Sequence, residues 1–548
     1  MVDFCISLSS SISALFHLFS RRFHLLLLLL TGFCLTSFMR GNLGVTMTCM
    51  VNSTAVALKA IQDSVESNKT IAILNIPEQC RQEDTPKSGL NDYGGTIEWN
   101  VKRQKEMFKG TFWGSLITVL ISGYIADRTS PKWLFQIAFT IYVVTTVVFP
   151  FLVNHVGFEA AFASRVLMGI GEGAVFPAIT ALIAKWYPAV ERSTAASFST
   201  AGNQLAGVLG SPFAAALCAS AWQWPSVFYS CGEFQRIIGA IWSILWCFTV
   251  SDTPSMCKYM SPNERKYLQL CAAVKKSEIK EDVKIPWKAI LTSFPVWSVL
   301  IGQLSTNFIS VLMQSYIPTY YKEVLYMKLK DNGFYSSLPN IFLCGAKVLW
   351  GIAMDALRRK GICSPTATCK LSQWFSNITL TVVFLCLAFF VDCTRSTFGV
   401  VLMCGFGIGY SASVSGTFTS LLSLAPNFTG TISSLAMLFG IVGRLLAPDL
   451  VGLIRVYGTI KEWRLIYITL AVVSMICCIQ FGIFGSAEIQ PWATQASPKG
   501  AEQEKLLEEK LTPGKFSKED ENLKSISAEK STEELVGEFV NGRRNEAY

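Results

Sequence analysis

The sequence predicts an all-α membrane protein of twelve transmembrane helices in two six-helix halves. Three observations predict it. The 548-residue chain is 51% hydrophobic, has a mean hydropathy of +0.39 and is only 16% charged, against roughly 25% in an average soluble domain. Apolar runs of about 20 residues, the length needed to cross a hydrocarbon core of about 30 Å, recur about twelve times. The two sets of six also echo each other. "GYIADR" and "GIAMDALRR" both read Gly-x3-Asp followed by Arg, which pairs Gly123/Asp127 with Gly351/Asp355. A chain built from two such repeats has the plan of rocking membrane carriers.

The spans fall near 23–50, 106–126, 132–152, 158–186, 193–220, 232–250, 294–321, 333–356, 371–391, 396–421, 428–455 and 463–485. "HLLLLLL" in the first resembles a signal-peptide core. No small-residue cleavage site follows it, so the segment is expected to stay as a span. The organisation that results is a segment 1–22, a half 23–250 with a long loop 51–104, an inter-half loop 251–293, a second half 294–485 and a tail 486–548. The tail is rich in Lys, Glu and Ser with few aromatics, a composition that predicts disorder.

Positive charge collects in alternate connections. Arg21 and Arg22 precede span 1, Arg128 and Lys132 join spans 2 and 3, and Lys185 and Arg192 flank the turn between spans 4 and 5. Loop 251–293 carries Lys258, Arg265, Lys266, Lys275, Lys276, Lys280, Lys284 and Lys288. The positive-inside rule therefore puts both termini and that loop in the cytosol. Of four sequons, Asn52 and Asn68 fall in the outer loop and are the expected glycosylation sites; Asn377 and Asn427 should stay bare. Most of the 17 cysteines, including Cys34, Cys218, Cys344, Cys386, Cys477 and Cys478, sit in apolar runs without regular spacing. They predict small packing residues, not a zinc site or a disulfide framework.

"GIGEGA" at 169–174 fits a dinucleotide-binding fingerprint, and Glu191 follows at the distance of a ribose ligand. The context excludes that reading, because the fingerprint needs a strand before it and here a helical apolar run lies on both sides. No nucleotide, cofactor, metal or nucleic-acid partner is expected, and no catalysis. The glycines instead slim a membrane helix, for close packing or to open a cavity beside Glu172.

Charge inside a span is costly and marks function. Arg40 lies in span 1, Arg165 and Glu172 in span 4, Lys347 in span 8 and Arg444 in span 11. Arg165 and Glu172 are seven residues apart, on one helix face and roughly 10 Å along it. Positive groups outnumber the one deep carboxylate, so the cavity favours an anion, whose carboxylate or phosphate a guanidinium grips bidentately. Glu172 is either a permanent ion-pair partner or a proton carrier. Arg40 and Arg165 can each also be read as the cationic member of an inter-helix salt bridge. Lys347 can snorkel to the inner interface, and Arg444 can pair with Asp449 or reach the outer interface. Asp127, Arg128 and Asp355 at inner helix ends suit a gate.

These residues carry a resemblance. "SRVLMGIGEGAVFPAITALIAKWYPAVERS" at 164–193 resembles the span-4 signature of the anion transporters of the major facilitator superfamily that include sialin, the vesicular glutamate transporters and the sodium–phosphate cotransporters. "RGNLGV", "GTFWGSLITVLISGYIADR", "WPSVFY", "SDTPS", "IPWKAILTSFPVW", "NGFYSSLP" and "LAPNFTGTI" follow in family order over roughly 23–490. The resemblance implies a secondary active transporter of a small organic or inorganic anion (sialic-acid-like, another carboxylate, or phosphate). It would work by alternating access in a plasma or vesicular membrane, with H+, Na+ or voltage as the driving force. It also implies substrate binding at Arg40 and Arg165 and proton coupling at Glu172. Thr306 and Phe108 stand where the glutamate transporters carry Arg and His, which points away from glutamate. Lys347 and Arg444 are additional cavity charges. A non-transporting sensor on the same fold is the alternative. In the tail, Glu502, Leu506 and Leu507 resemble an acidic dileucine signal that sorting adaptors read.

Overall fold

The structure is a computed structural model that describes residues 20–66, 93–187, 189–257, 286–359, 362–425 and 428–495, with 260–262, 264, 265 and 268 of the mid-chain loop. Among these residues it is all-helical apart from one isolated bridge, Val51 to Ile97. Nine helical stretches among the described residues are long and apolar enough to cross a membrane, and there are twelve long helices, counting those that are interrupted as one. We number them α1 (Arg21–Gly41 and Leu43–Met50, broken at Asn42), α2 (Val101–Arg128), α3 (Pro131–Phe151), α4 (Phe158–Trp186), α5 (Ala189–Thr200 and Gly202–Cys218) and α6 (Gln223–Thr249). The second half holds α7 (Phe294–Glu323), α8 (Leu329–Arg359), α9 (Pro365–Phe389), α10 (Ser396–Ser413 continuing through a π turn to Thr419–Leu424), α11 (Thr429–Ile454) and α12 (Ile460–Phe484). The end bearing residues 51–100 is called outer below, and the opposite end inner.

Local chemistry starts these helices where the apolar runs begin. Asn100, Ser130 and Ser364 each accept a first-turn backbone N–H, and Pro131 and Pro365 follow the two serines. Thr459 and Glu462 close a capping box on α12. Between α3 and α4 a π turn, Leu152–Val156, ends at Gly157 with φ 114°, a conformation that a side chain resists. The expected loop 51–104 contains helical structure at both ends. A helix, Ser53–Glu66, occupies its first part and α2 already begins at Val101.

Glycines set the packing within each half. A Cβ at Gly169 would lie 2.0 Å from the Thr111 carbonyl oxygen, and one at Gly114 would lie 2.0 Å from that of Val166. The α2–α4 contact is therefore backbone on backbone. α8 and α10 repeat it, with Gly407 against the Pro339 carbonyl. Gly202 against Leu30 in α5–α1 matches Gly443 against Leu304 in α11–α7. The repeat legible in two short motifs thus extends to the tightest contacts of both halves. Of the two readings of "GIGEGA", close packing is the one observed for Gly169 and for Gly173, whose Cβ would meet Thr118.

The cysteine reading needs correction. Cys49 and Cys218 form a disulfide with Cα atoms 6.2 Å apart, and Cys393 is disulfide-bonded too. Cys218 looked like a packing residue because its neighbours are apolar. It actually ends α5 at the outer face, beside the outer end of α1.

At the inner end, Glu264 of the mid-chain loop holds the start of α1. It accepts from Ser20 Oγ at 2.8 Å, from the backbone N–H groups of Arg21 and Arg22 at 3.2 Å, and from Arg22 Nε at 3.1 Å. Burial pushes its carboxyl up, but the hydrogen bonds from Ser20 and from Arg22 and Arg21 outweigh this and hold it below the usual glutamate range. A carboxyl depressed in the folded state stabilises above its unfolded value of about 4.3, and that contribution is lost as pH falls through the folded value. Amide exchange at 21–25, taken relative to the intrinsic rate at each pH, should therefore be flat near pH 7 and accelerate in acid. At pH 7, Glu264→Gln should speed it about tenfold, since a charge-assisted hydrogen bond is worth on the order of 1.5–3 kcal/mol.

Candidate functional site

Midway through the molecule, three charged side chains from three spans converge. Glu172 of α4 accepts through Oε1 from Arg40 Nη1 of α1 and, at 3.1 Å, from Arg444 Nη1 of α11. Arg40 Nη2 also donates to Asn203 Oδ1 of α5 at 3.2 Å. Arg444 Nε donates to Asn307 Oδ1 of α7 at 3.0 Å, and Asn307 is itself anchored to the Gln303 carbonyl at 2.8 Å. Glu172 Oε2 is buried without a hydrogen-bond partner. The Glu172 side chain is 11% exposed, whereas Arg40 and Arg444 are 24% and 31% exposed. The carboxylate is thus the buried member and the guanidinium groups reach open space. The break at Asn42 puts Arg40 in the last turn of its helix segment, where the C-terminal carbonyls favour a cation.

Arg40 opens onto a cavity between the halves, and the expected cavity charges Arg444 and Lys347 are not among its lining residues, Arg444 lying behind Arg40 on the far side of Glu172. Arg40, Ser37 and Asn203 line the cavity from the first half, and Ser310, Gln314, Asn340 and Tyr410 from the second. Met313, Ile317, Leu343 and Phe406 supply apolar wall. Beyond it, the outer end is tied shut across the halves. Asp449 of α11 takes Lys105 and Lys109 of α2, each at 3.0 Å. Lys322 of α7 donates to the Thr48 carbonyl at 2.6 Å and to Ser53 Oγ at 2.7 Å. Arg455, paired with Glu323, reaches Gln104 Oε1 at 3.4 Å.

The predicted residues are placed differently from one another. Arg40, Glu172 and Arg444 are brought together. Arg444 pairs with Glu172 and not with Asp449, which belongs to the α2 lysines. Arg165 is not joined to Glu172. It is 1% exposed, with its Cζ 4.2 Å from the Phe149 ring centroid and 5.6 Å from that of Phe228. Its Nη1 meets Met168 Sδ at 3.6 Å, while Nε and Nη2 have no hydrogen-bond partner. Seven residues do place the two on one face, but helix side chains lean toward the N-terminus, here the outer end. The Arg165 guanidinium is thereby carried away from Glu172, into aromatic packing. Lys347 is half-buried on α8. The backbones of Asp127, Arg128 and Asp355 are helical, but their side chains lie outside what the structure describes, as do Asn68, Asn427, Glu502, Leu506 and Leu507. Asn52 caps the helix Ser53–Glu66 by accepting from Ala55 N at 2.8 Å, and Asn377 is buried in α9.

Two six-helix halves around a central charged cavity are one fold's signature, and the profile of the Major Facilitator Superfamily matches residues 29–448. The chain belongs to the Major Facilitator Superfamily. It is 42% identical over 494 residues to an uncharacterized transporter, slc-17.3, of Caenorhabditis elegans, covering 87% of this chain and 90% of the relative. It is 30% identical to sialin of Homo sapiens over 477 residues, or 86% and 91% of the two chains. A solved D-xylose–proton symporter superposes with a TM-score of 0.58 at 13% identity, covering 85% of this chain and 99% of that one, a likeness of fold alone. This superfamily member is a multi-pass secondary transporter of the anion-transporter group, and not an enzyme.

The transporter's neutral polar residues escaped sequence reading. Asn203, Asn307 and Tyr410 carry no charge to betray them among other polar residues of apolar helices. Asn203 lies on α5 three residues before Ala206 and seven before Gly210, which line the same cavity. That spacing is the one signal that could have found it.

Proposed function

We propose that this transporter carries a small organic carboxylate together with a proton, by alternating access around Arg40, Glu172 and Arg444. The observation that supports it best is the sharing of Glu172 by one arginine from each half. An anion entering the cavity competes with Glu172 for the two guanidinium forks. A carboxylate stripped of both counter-charges in a buried site takes up a proton, and its Oε2 has no other partner. Anion and proton then occupy the site together, and release of the anion lets Glu172 reclaim both arginines and expel the proton. The apolar wall of Met313, Ile317, Leu343 and Phe406 suits the carbon body of an organic anion better than inorganic phosphate.

Arg165 enters as a further substrate-binding cation. Its two unpartnered groups are two turns toward the outer end, where an outward-open state would expose them. Asp127, Arg128 and Asp355 form the inner gate. Both termini, loop 251–293 and the tail from 486 are cytosolic, with the tail available to a sorting adaptor. Support comes from the placement of Cys49, Cys218 and Cys393 at ends of α1, α5 and α9–α10, all on the outer face, where disulfides persist in an oxidising compartment. Asn52 and Asn68 are glycosylated on that face.

The test is uptake by purified protein in proteoliposomes across a panel of carboxylates, inorganic phosphate and neutral sugars, with pH, Na+ and voltage varied separately. A pH gradient alone should drive accumulation of at least one carboxylate. A strict Na+ requirement overturns the proton, and phosphate-only transport overturns the carboxylate.

A further inference from the structure

On α8, Ser336, Pro339, Asn340 and Leu343 line the central cavity. Their spacing defines one helix stripe, and at 100° per residue Lys347 continues it one turn toward the inner end. The opposite side of the same turns is apolar and open, with Val348 59%, Leu349 70% and Ile352 59% exposed, as a lipid-facing surface would be. The Lys347 stem therefore leaves the helix on the cavity side and not toward lipid. It makes no hydrogen bond or ion pair with any described residue. Snorkelling does not explain it either. The apolar part of α8 runs on to Met354, seven residues and roughly 10 Å further, while a lysine stem reaches about 6 Å.

From this placement we propose that Lys347 is a second cationic subsite, which makes the transporter selective for a dianion such as a small dicarboxylate. The inference rests on the carboxylate reading above. In the empty site, with Glu172 ionised, Arg40, Arg444, Glu172 and Lys347 together carry two net positive charges; a dianion entering with one proton leaves one, whereas a monoanion entering with one proton leaves two. One carboxylate of the substrate engages the arginines, and the other reaches the flexible ammonium, a point charge that adapts to several chain lengths. A monoanion leaves that ammonium uncompensated.

The test uses the full chain in proteoliposomes at pH 7 with two probes of one carbon skeleton, radiolabelled glutarate and its monomethyl ester. The native protein should take up glutarate with the lower KM. Lys347→Gln should raise the glutarate KM about tenfold, equivalent to 1.4 kcal/mol, and leave that of the ester unchanged. Lys347→Arg should restore most of the difference. Unchanged ester uptake also shows that the variant is folded. An equal loss for both probes, or no change for either, overturns the subsite while the carboxylate reading stands. Transport of the ester but not glutarate by the native protein does the same. Failure of the native protein to carry any carboxylate removes both.

Discussion

Glu172→Gln should lose pH-gradient-driven uptake by about a hundredfold yet retain exchange of anion across the membrane when no gradient is applied. The amide keeps the shape of the carboxyl and a carbonyl for Arg40 and Arg444. It removes the charge, and charge-assisted hydrogen bonds of 1.5–3 kcal/mol become neutral ones of roughly half that or less. It cannot take up a proton, so the cycle loses its driving step and not its path. Accumulation and counterflow measured on the same vesicles separate these outcomes. If both vanish, Glu172 is a structural pin between the halves. If accumulation survives, the proton travels elsewhere. Arg444→Gln gives the complementary result, since it removes one fork and leaves Glu172 paired with Arg40 alone. Both uptake and counterflow should then fall at least tenfold, because the anion loses half of its seat.

Gly169→Val should give little or no folded protein. Its Cβ would fall 2.0 Å from the Thr111 carbonyl oxygen and 2.9 Å from Gly114 Cα, all backbone of a neighbouring span that no rotamer change can move. Overpacking of a core costs typically 1–3 kcal/mol where side chains can shift, and here they cannot, so the loss should exceed about 3 kcal/mol. The check is the fraction of monodisperse protein after detergent extraction and its thermal midpoint. Gly345→Ala is the control. No atom lies within 4 Å of its Cβ position, and it should behave as the native chain does. A stable Gly169→Val would mean that α2 and α4 are not in backbone contact.

The fold was legible because lipid imposes a length and a polarity on every span, and both are written locally in the chain. The charges of the site were legible for the same reason, since any charge in an apolar run stands out. Their partners were not. Glu172 finds Arg444 across 272 positions, and Asp449 finds Lys109 across 340. One sequence holds no trace of which distant charges meet, and the plausible local pairing of Arg444 with Asp449 was displaced by these longer ones. The separation of Arg165 from Glu172 is of another kind. Helical spacing fixes the face a side chain leaves from, but a six-atom arm that leans outward can end in a different environment from its neighbour two turns away. The resemblance of 164–193 identified the span and its residues, but not this divergence.

The bond between Cys49 and Cys218 has a mechanical consequence. It closes a covalent ring that contains α2, α3 and α4 and joins the far ends of α1 and α5. Those two helices carry Arg40 and Asn203, the hydrogen-bonded pair on the first-half wall. Pinned at one end, they can swing only from that end, like two blades on a common rivet. Asn42, seven residues from Cys49, and Ala201, near the middle of α5, interrupt the two helices between that pin and their inner ends, where bending can be absorbed.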